Sequence, residues 1–265
     1  MWEWTRVAEH LVAAGIGAGL LRFWQWGREL QTRRGLGAIL AGLESPTLFV
    51  YPPRENVQSA ILPRVASEDF LAMNNVISAF IKAKRPPPDH VRNPSLLTLQ
   101  DKQQNNLILI CSIKQNSVTN DALSQLRSTL RPRLAERVPY FEEIAGTNEL
   151  QIRWEAGTVY QSPSYKQTGS ERTDIAMIVK TKSPWGAQKR ILIIAGIRGI
   201  GTWGAAEFLK KWWRPLYKQK GSDRHHGMSK QGDFAALVRV HYKDLDIKRV
   251  DFVNVANLDE TSIEG

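Results

Sequence analysis

The densest chemistry-bearing pattern in this chain lies at residues 195–206 (AGIRGIGTWGAA), which follow an apolar strand-like run and open a helical one. Glycine at Gly196, Gly199 and Gly201 lets backbone come close to a ligand, and amides freed at a helix N-terminus make a site for an anion. Arg198 adds a cation, and Thr202 can cap the helix or bind a phosphate oxygen. The pattern lacks the Lys-Ser/Thr pair of a P-loop, and its glycine spacing is not that of a dinucleotide fingerprint. A tight strand-to-helix corner without a ligand is the competing reading.

A second strand-to-helix turn lies at 112–119 (SIKQNSVT). There Ser112, Lys114 and Asn116 can meet phosphate or ribose, while Ser117 or Thr119 caps the helix. A third turn, 52–55 (PPRE), carries Arg54. In open α/β sheets the ligand crevice lies beyond the carboxyl ends of the strands. Arg54, Lys114 and Arg198 are expected to meet there and to suit a phosphorylated ligand, unless the loops sit apart. Catalytic signals are poor. His225 and His226 have no carboxylate or cysteine at ligand spacing, so no metal is expected. No nucleophile elbow, HExxH or paired-acid motif occurs, and Glu68-Asp69 and Glu142-Glu143 read as helix-surface or first-turn acids. No cofactor is expected. The pattern favours ligand binding, with a transferase or hydrolase acting on a nucleotide or nucleotide-sugar as the alternative.

The elements that must position these turns alternate. Buried-strand runs stand at 47–51, 106–112, 174–181 and 190–196, the last two on either side of the turn signal Ser183-Pro184-Trp185-Gly186. Helical spacing covers 67–82, 120–130 and 202–216, the first with Ser67 as N-cap and acids in its first turn. Residues 233–242 and 248–255 read as a hairpin. The expected fold is α/β: a Rossmann-like, three-layer, mainly parallel sheet with a C-terminal β-hairpin. Residues 84–93 read as a proline-rich linker and 157–172 as a mobile loop or lid. The basic stretch 210–224, around Trp212 and Trp213, reads first as a solvated helix end and second as a contact for nucleic acid or lipid.

A formal net charge of +10 over 265 residues favours anionic partners, and the lone Cys111 excludes a disulfide framework. At the N-terminus, 11–21 (LVAAGIGAGLL) is apolar without interruption but spans half a bilayer. Extension between Trp4 and Trp24 gives about 30 Å of helix, with Trp24 and Trp26 as one aromatic belt. Gly15 and Gly19 offer a small-residue face for helix association. Arginines after the segment place the large domain in the cytoplasm under the positive-inside rule. The expectation is a single-pass anchor in the inner (cytoplasmic) membrane over residues 1–44 and a cytosolic domain over 45–265. An interfacial or buried helix is the alternative. Residues 36–43 (LGAILAGL) either lie against the membrane or begin the domain.

The strand at 191–196 followed by Arg198-Gly199-Ile200-Gly201-Thr202 resembles the G-G-x-G-T turn of Smf/LOG-type (SLOG) Rossmannoid nucleotide-binding domains. Gly199, Gly201 and Thr202 match; Arg198 stands where that family has glycine, and Ala205 where it has an acid. The resemblance implies ligand sensing more than phosphoribohydrolysis. A helix ahead of such a domain also looks like membrane-anchored effectors of bacterial defence, including CARF-type sensors, whose ligand loop falls near Ser112 to Asn116. By this analogy the chain binds a nucleotide-derived signal and forms a homo-oligomer that perturbs membrane lipid, with nucleic acid a less favoured partner.

Overall fold

The structure, a computed structural model, describes residues 2–44, 46–52, 67–88, 90–155, 157–162, 171–186, 188–217 and 232–258, with side chains of the first helix described from residue 21 onward. Its main sheet has seven strands in the order β10-β9-β7-β8-β3-β1-β2. These are β1 (Thr47–Val50), β2 (His90–Arg92), β3 (Asn106–Ile110), β7 (Arg172–Lys182), β8 (Arg190–Gly196), β9 (Phe234–Lys243) and β10 (Asp246–Asn257). A separate antiparallel sheet has the order β4 (Tyr140–Glu143), β5 (Leu150–Trp154), β6 (Thr158–Gln161).

The expectation of a mainly parallel sheet is corrected. Only β2, β1, β3 and β8 run parallel; β8–β7, β7–β9 and β9–β10 are antiparallel. The cause is the length of the connection between β7 and β8. The 183–189 turn closes on itself through Ser183 N–H to Lys189 O at 2.7 Å and Lys189 N–H to Gly186 O at 2.8 Å. A parallel return would need a crossover of about a dozen residues or more.

Alternation along the central strands supplies both faces. Ile108, Ile110, Leu192 and Ile194 enter one core, with α2 (Ser67–Lys82), α6 (Gly199–Glu207) and the end of α1 (Trp2–Ile39). Leu107, Leu109, Ile191 and Ile193 enter the other, under α4 (Ser117–Thr129) and the small sheet. Two short helices, α3 (Leu99–Gln104) before β3 and α5 (Pro132–Ala135) after α4, complete the connections. A π-helical turn, Phe208–Trp212, prolongs α6. The stretch read as a linker contains β2, and the stretch read as a lid contains β6.

The expected membrane span is also corrected: among the described residues no helix is long and apolar enough to cross a membrane. The uninterrupted apolar run is short, and Glu9, His10 and Arg22 would have to enter the hydrocarbon to extend it. The far end of α1 is committed elsewhere. Leu36, Ile39, Leu40 and Leu43 are buried in the first core, and Trp213 packs at Gly35, where a Cβ would lie 2.0 Å from its ring. Residues 36–43 therefore begin the domain. Trp4, Gly15 and Gly19 lie on α1 where side chains are outside the description; Trp24 and Trp26 are exposed.

Candidate functional site

The parallel ladder puts the carboxyl ends of β1, β3 and β8 side by side, so the turns after them share one edge of the sheet. The chain leaves β1 through α2 toward β2 on one side, while β3 lies on the other. The β1/β3 boundary is thus the crossing point where open α/β sheets leave a crevice.

At the β8 end a carboxyl of the chain itself is already present. Asp174, near the start of β7, is fully buried, and its Oδ2 accepts from Arg198 N–H at 3.1 Å and Gly201 N–H at 3.0 Å. Its Oδ1 accepts from Ile175 N–H at 2.8 Å. The carboxyl therefore occupies amides at the start of α6 that an external phosphate would need. Burial pushes the Asp174 carboxyl up to about 7, against the pull of the Ile175 and Arg198 amides, the Ser162 hydroxyl and the Arg198 charge. The glycines serve this arrangement. A Cβ on Gly201 would stand 2.4 Å from Asp174 Oδ2, and one on Gly196 would stand 2.4 Å from Thr202 N. Thr202 is buried and its Oγ1 accepts from Gly196 N–H at 2.9 Å, so it too is spent inside the turn. Gly199 lies against the first turn of α2, where its Cβ would meet Glu68 at 3.2 Å.

The β3 end is built differently. Cys111 takes φ 91°, a left-handed conformation in a residue that is not glycine, immediately after the strand. Its N–H still donates to Ile194 O at 3.2 Å, and its carbonyl accepts from Thr119 Oγ1 at 3.3 Å. Burial first, then the Asp69 carboxylate, pushes the Cys111 thiol up, so it stays protonated and is no ready nucleophile. Asp69, in the first turn of α2, is itself buried and hydrogen-bonds to that thiol.

Asn116, the N-cap of α4, makes no side-chain cap bond. Its Nδ2 instead donates to Val50 O at 3.1 Å and Ile110 O at 3.0 Å, tying the ends of β1 and β3 together. Two acceptors fix which end of the amide is nitrogen, and leave Oδ1 buried without a donor among the described residues. Ser112 is buried between them, its carbonyl accepting from Gln115 N–H at 3.2 Å and Asn116 N–H at 3.0 Å.

Of the cations expected to converge, Arg198 stands beside Asp174, and Arg54 lies outside the described residues. Lys114 is drawn away to the small sheet, bonding Asn148 O and standing 3.8 Å from Glu143. His225 and His226 also lie outside the description, and among the described residues no His/Cys/Asp/Glu cluster fits a metal. Sequence reasoning missed Asp174, Asp69 and the strain at Cys111. An acid opening the otherwise apolar 174–179 run was a usable signal for the first. No local pattern marks the other two. Scanned against protein-family models and curated proteins, the chain matches none of them.

Proposed function

We propose that this chain is a ligand-responsive binding module whose β1/β3 crevice takes a nucleotide-type molecule. One observation carries the reading: Asn116 Oδ1, held between the two strand ends, is fully buried and has no donor among the described residues. A buried acceptor in that condition costs about 1–3 kcal/mol unless a donor reaches it. Ribose hydroxyls and nucleobase amino groups are such donors.

Two further features support it. The buried Asp69 carboxylate lies across the same strand end and can accept from a hydroxyl, as acids do for ribose in this class of sheet. Cys111 holds a strained backbone there, and strain of about 1–3 kcal/mol is retained where surrounding structure and function demand it. The N-terminus of α4, which lacks a side-chain cap, offers a place for phosphate. The resemblance at Arg198 to Thr202 does not carry this reading, because those amides serve Asp174. The effector output expected from the sequence then requires a signal passed to other surfaces without a helix through the bilayer.

The test is thermal stabilisation of the full chain by NAD, ADP-ribose and cyclic oligoadenylates. A ligand at a hundredfold its Kd adds about 2.7 kcal/mol of stability. Asp69→Asn and Ser112→Ala should each reduce that gain, measured against the variant's own baseline. If no nucleotide shifts the native chain, or both variants respond like it, the crevice is structural.

A further inference from the structure

The largest exposed apolar side chains on one stretch of the molecule belong to α1 where it leaves the body. Leu21 is 57% exposed, Phe23 68%, Trp24 56% and Trp26 58%. A cluster of that kind normally marks a surface that meets something else. Phe23, Trp26, Leu30, Arg33 and Gly37 recur at steps of three and four, so they share one side of the helix.

That side runs into a groove of about 670 Å³ between α1 and the segment after α2. Its walls combine two chemistries. Leu30, Gly37, Ala38, Ala41 and Ala83 are apolar or small, while Arg33, Arg34, Lys84 and Arg85 bring cations. Arg85 is engaged by Glu44 and by Gly37 O, and Lys84 lies 3.7 Å from Glu29 across an exposed contact. Arg33 and Arg34 stand exposed at the groove, and Arg28 sits over Trp24 at 4.5 Å from the ring centre. Lys210 and Lys211 on the π-helical turn are both paired with Glu207, and Lys82 Nζ donates to Lys210 O at 3.2 Å, so the cations that bear on this face are those of α1.

We infer that this face of α1 docks on the surface of an anionic phospholipid bilayer, lying along it without crossing it. Charge complementarity selects phosphate-bearing headgroups for the arginines, and tryptophan with phenylalanine beside arginine suits the headgroup boundary. Nucleic acid would satisfy the cations but leaves Phe23 and Trp26 unexplained along a helix side. A second copy would set like charges against each other. The inference is independent of the crevice ligand, and its failure would leave that reading untouched.

Sedimentation of the full chain with vesicles tests it. Binding is expected with equal parts phosphatidylcholine and phosphatidylserine, and neither with phosphatidylcholine alone nor at high salt. Each cation near such a surface is worth about fivefold, so Arg33→Ala with Arg34→Ala should lower partitioning about 25-fold. Phe23→Ala with Trp26→Ala should lower it about tenfold or more through lost apolar burial. These side chains are exposed, so both variants should keep the native urea midpoint, which serves as the folding control. Equal binding to neutral vesicles, or no loss in either variant, overturns the inference. So does arginine-dependent binding to duplex nucleic acid that displaces the vesicles and ignores the aromatic change. A dimer that forms without lipid and dissociates on the aromatic change assigns the face to a second copy and overturns it equally.

Discussion

Two strand-to-helix turns sit on neighbouring strands of one parallel ladder, and they have opposite fates. The turn after β8 is closed: Asp174 satisfies the amides of Arg198 and Gly201, and Thr202 satisfies Gly196. No residue in 196–204 has a positive φ, so the closed turn is relaxed. The turn after β3 is the reverse. Its N-cap side chain braces two strand ends instead of the helix, an acceptor is left buried without a donor among the described residues, and Cys111 is strained. A glycine-rich sequence therefore marks where backbone approaches something closely, and here that something is a carboxyl of the same chain. The less conspicuous turn has the better claim to a ligand.

The sharpest way to break this contrast is pH. Burial holds the Asp174 carboxyl near 7 in the folded chain, against the ordinary 3.8. The folded chain keeps a proton that the unfolded chain has released between those values, so this group's contribution is complete below about pH 4 and is lost as pH rises toward 7. The loss is up to about 4 kcal/mol, with no further change above the folded value. Urea unfolding across that range should show the decline in the native chain, and Asp174→Asn should flatten it. A native chain that instead gains stability relative to Asp174→Asn as pH rises would mean the amides hold the carboxylate charged.

Gly201→Ala attacks the same turn sterically. The added Cβ would sit 2.4 Å from Asp174 Oδ2 and must push the carboxyl off its donors, which should cost about 3 kcal/mol in the urea midpoint. A cost within about 0.5 kcal/mol would show that the turn has slack and that its glycine is incidental. At the turn after β3, Asn116→Ala should cost about 2 kcal/mol, because Val50 O and Ile110 O lose their donor while the orphaned Oδ1 disappears with the side chain. A stabilised variant would mean the orphan outweighs both bonds.

The smallest effect isolates the strain. Cys111→Gly and Cys111→Ala both remove the sulfur, but only glycine is at ease at φ 91°. The glycine variant should be more stable than the alanine variant by about 1 kcal/mol. Equal midpoints would remove backbone strain from the argument for the crevice.

The sequence alone determined the strands at 47–50, 106–110 and 190–196, because runs buried on both faces are apolar without interruption after their first residues, Thr47, Asn106 and Arg190. It also determined α2, whose Ser67, Glu68 and Asp69 open an amphipathic stretch. The short span between β7 and β8 already contained their antiparallel pairing, though the apolar runs suggested a parallel sheet. Short strands such as β2 and β6 were not legible, since their residues are exposed and show no periodic burial. Only the tertiary structure decided which turn is satisfied from within the chain. The contest for the amides of Arg198 and Gly201 is settled by Asp174, 24 and 27 residues earlier in the chain, and the brace at Asn116 reaches Val50, 66 residues away. Local spacing can show that the amides of a helix N-terminus want an acceptor. It cannot show that the fold has already supplied one, because that depends on which strand the sheet places alongside.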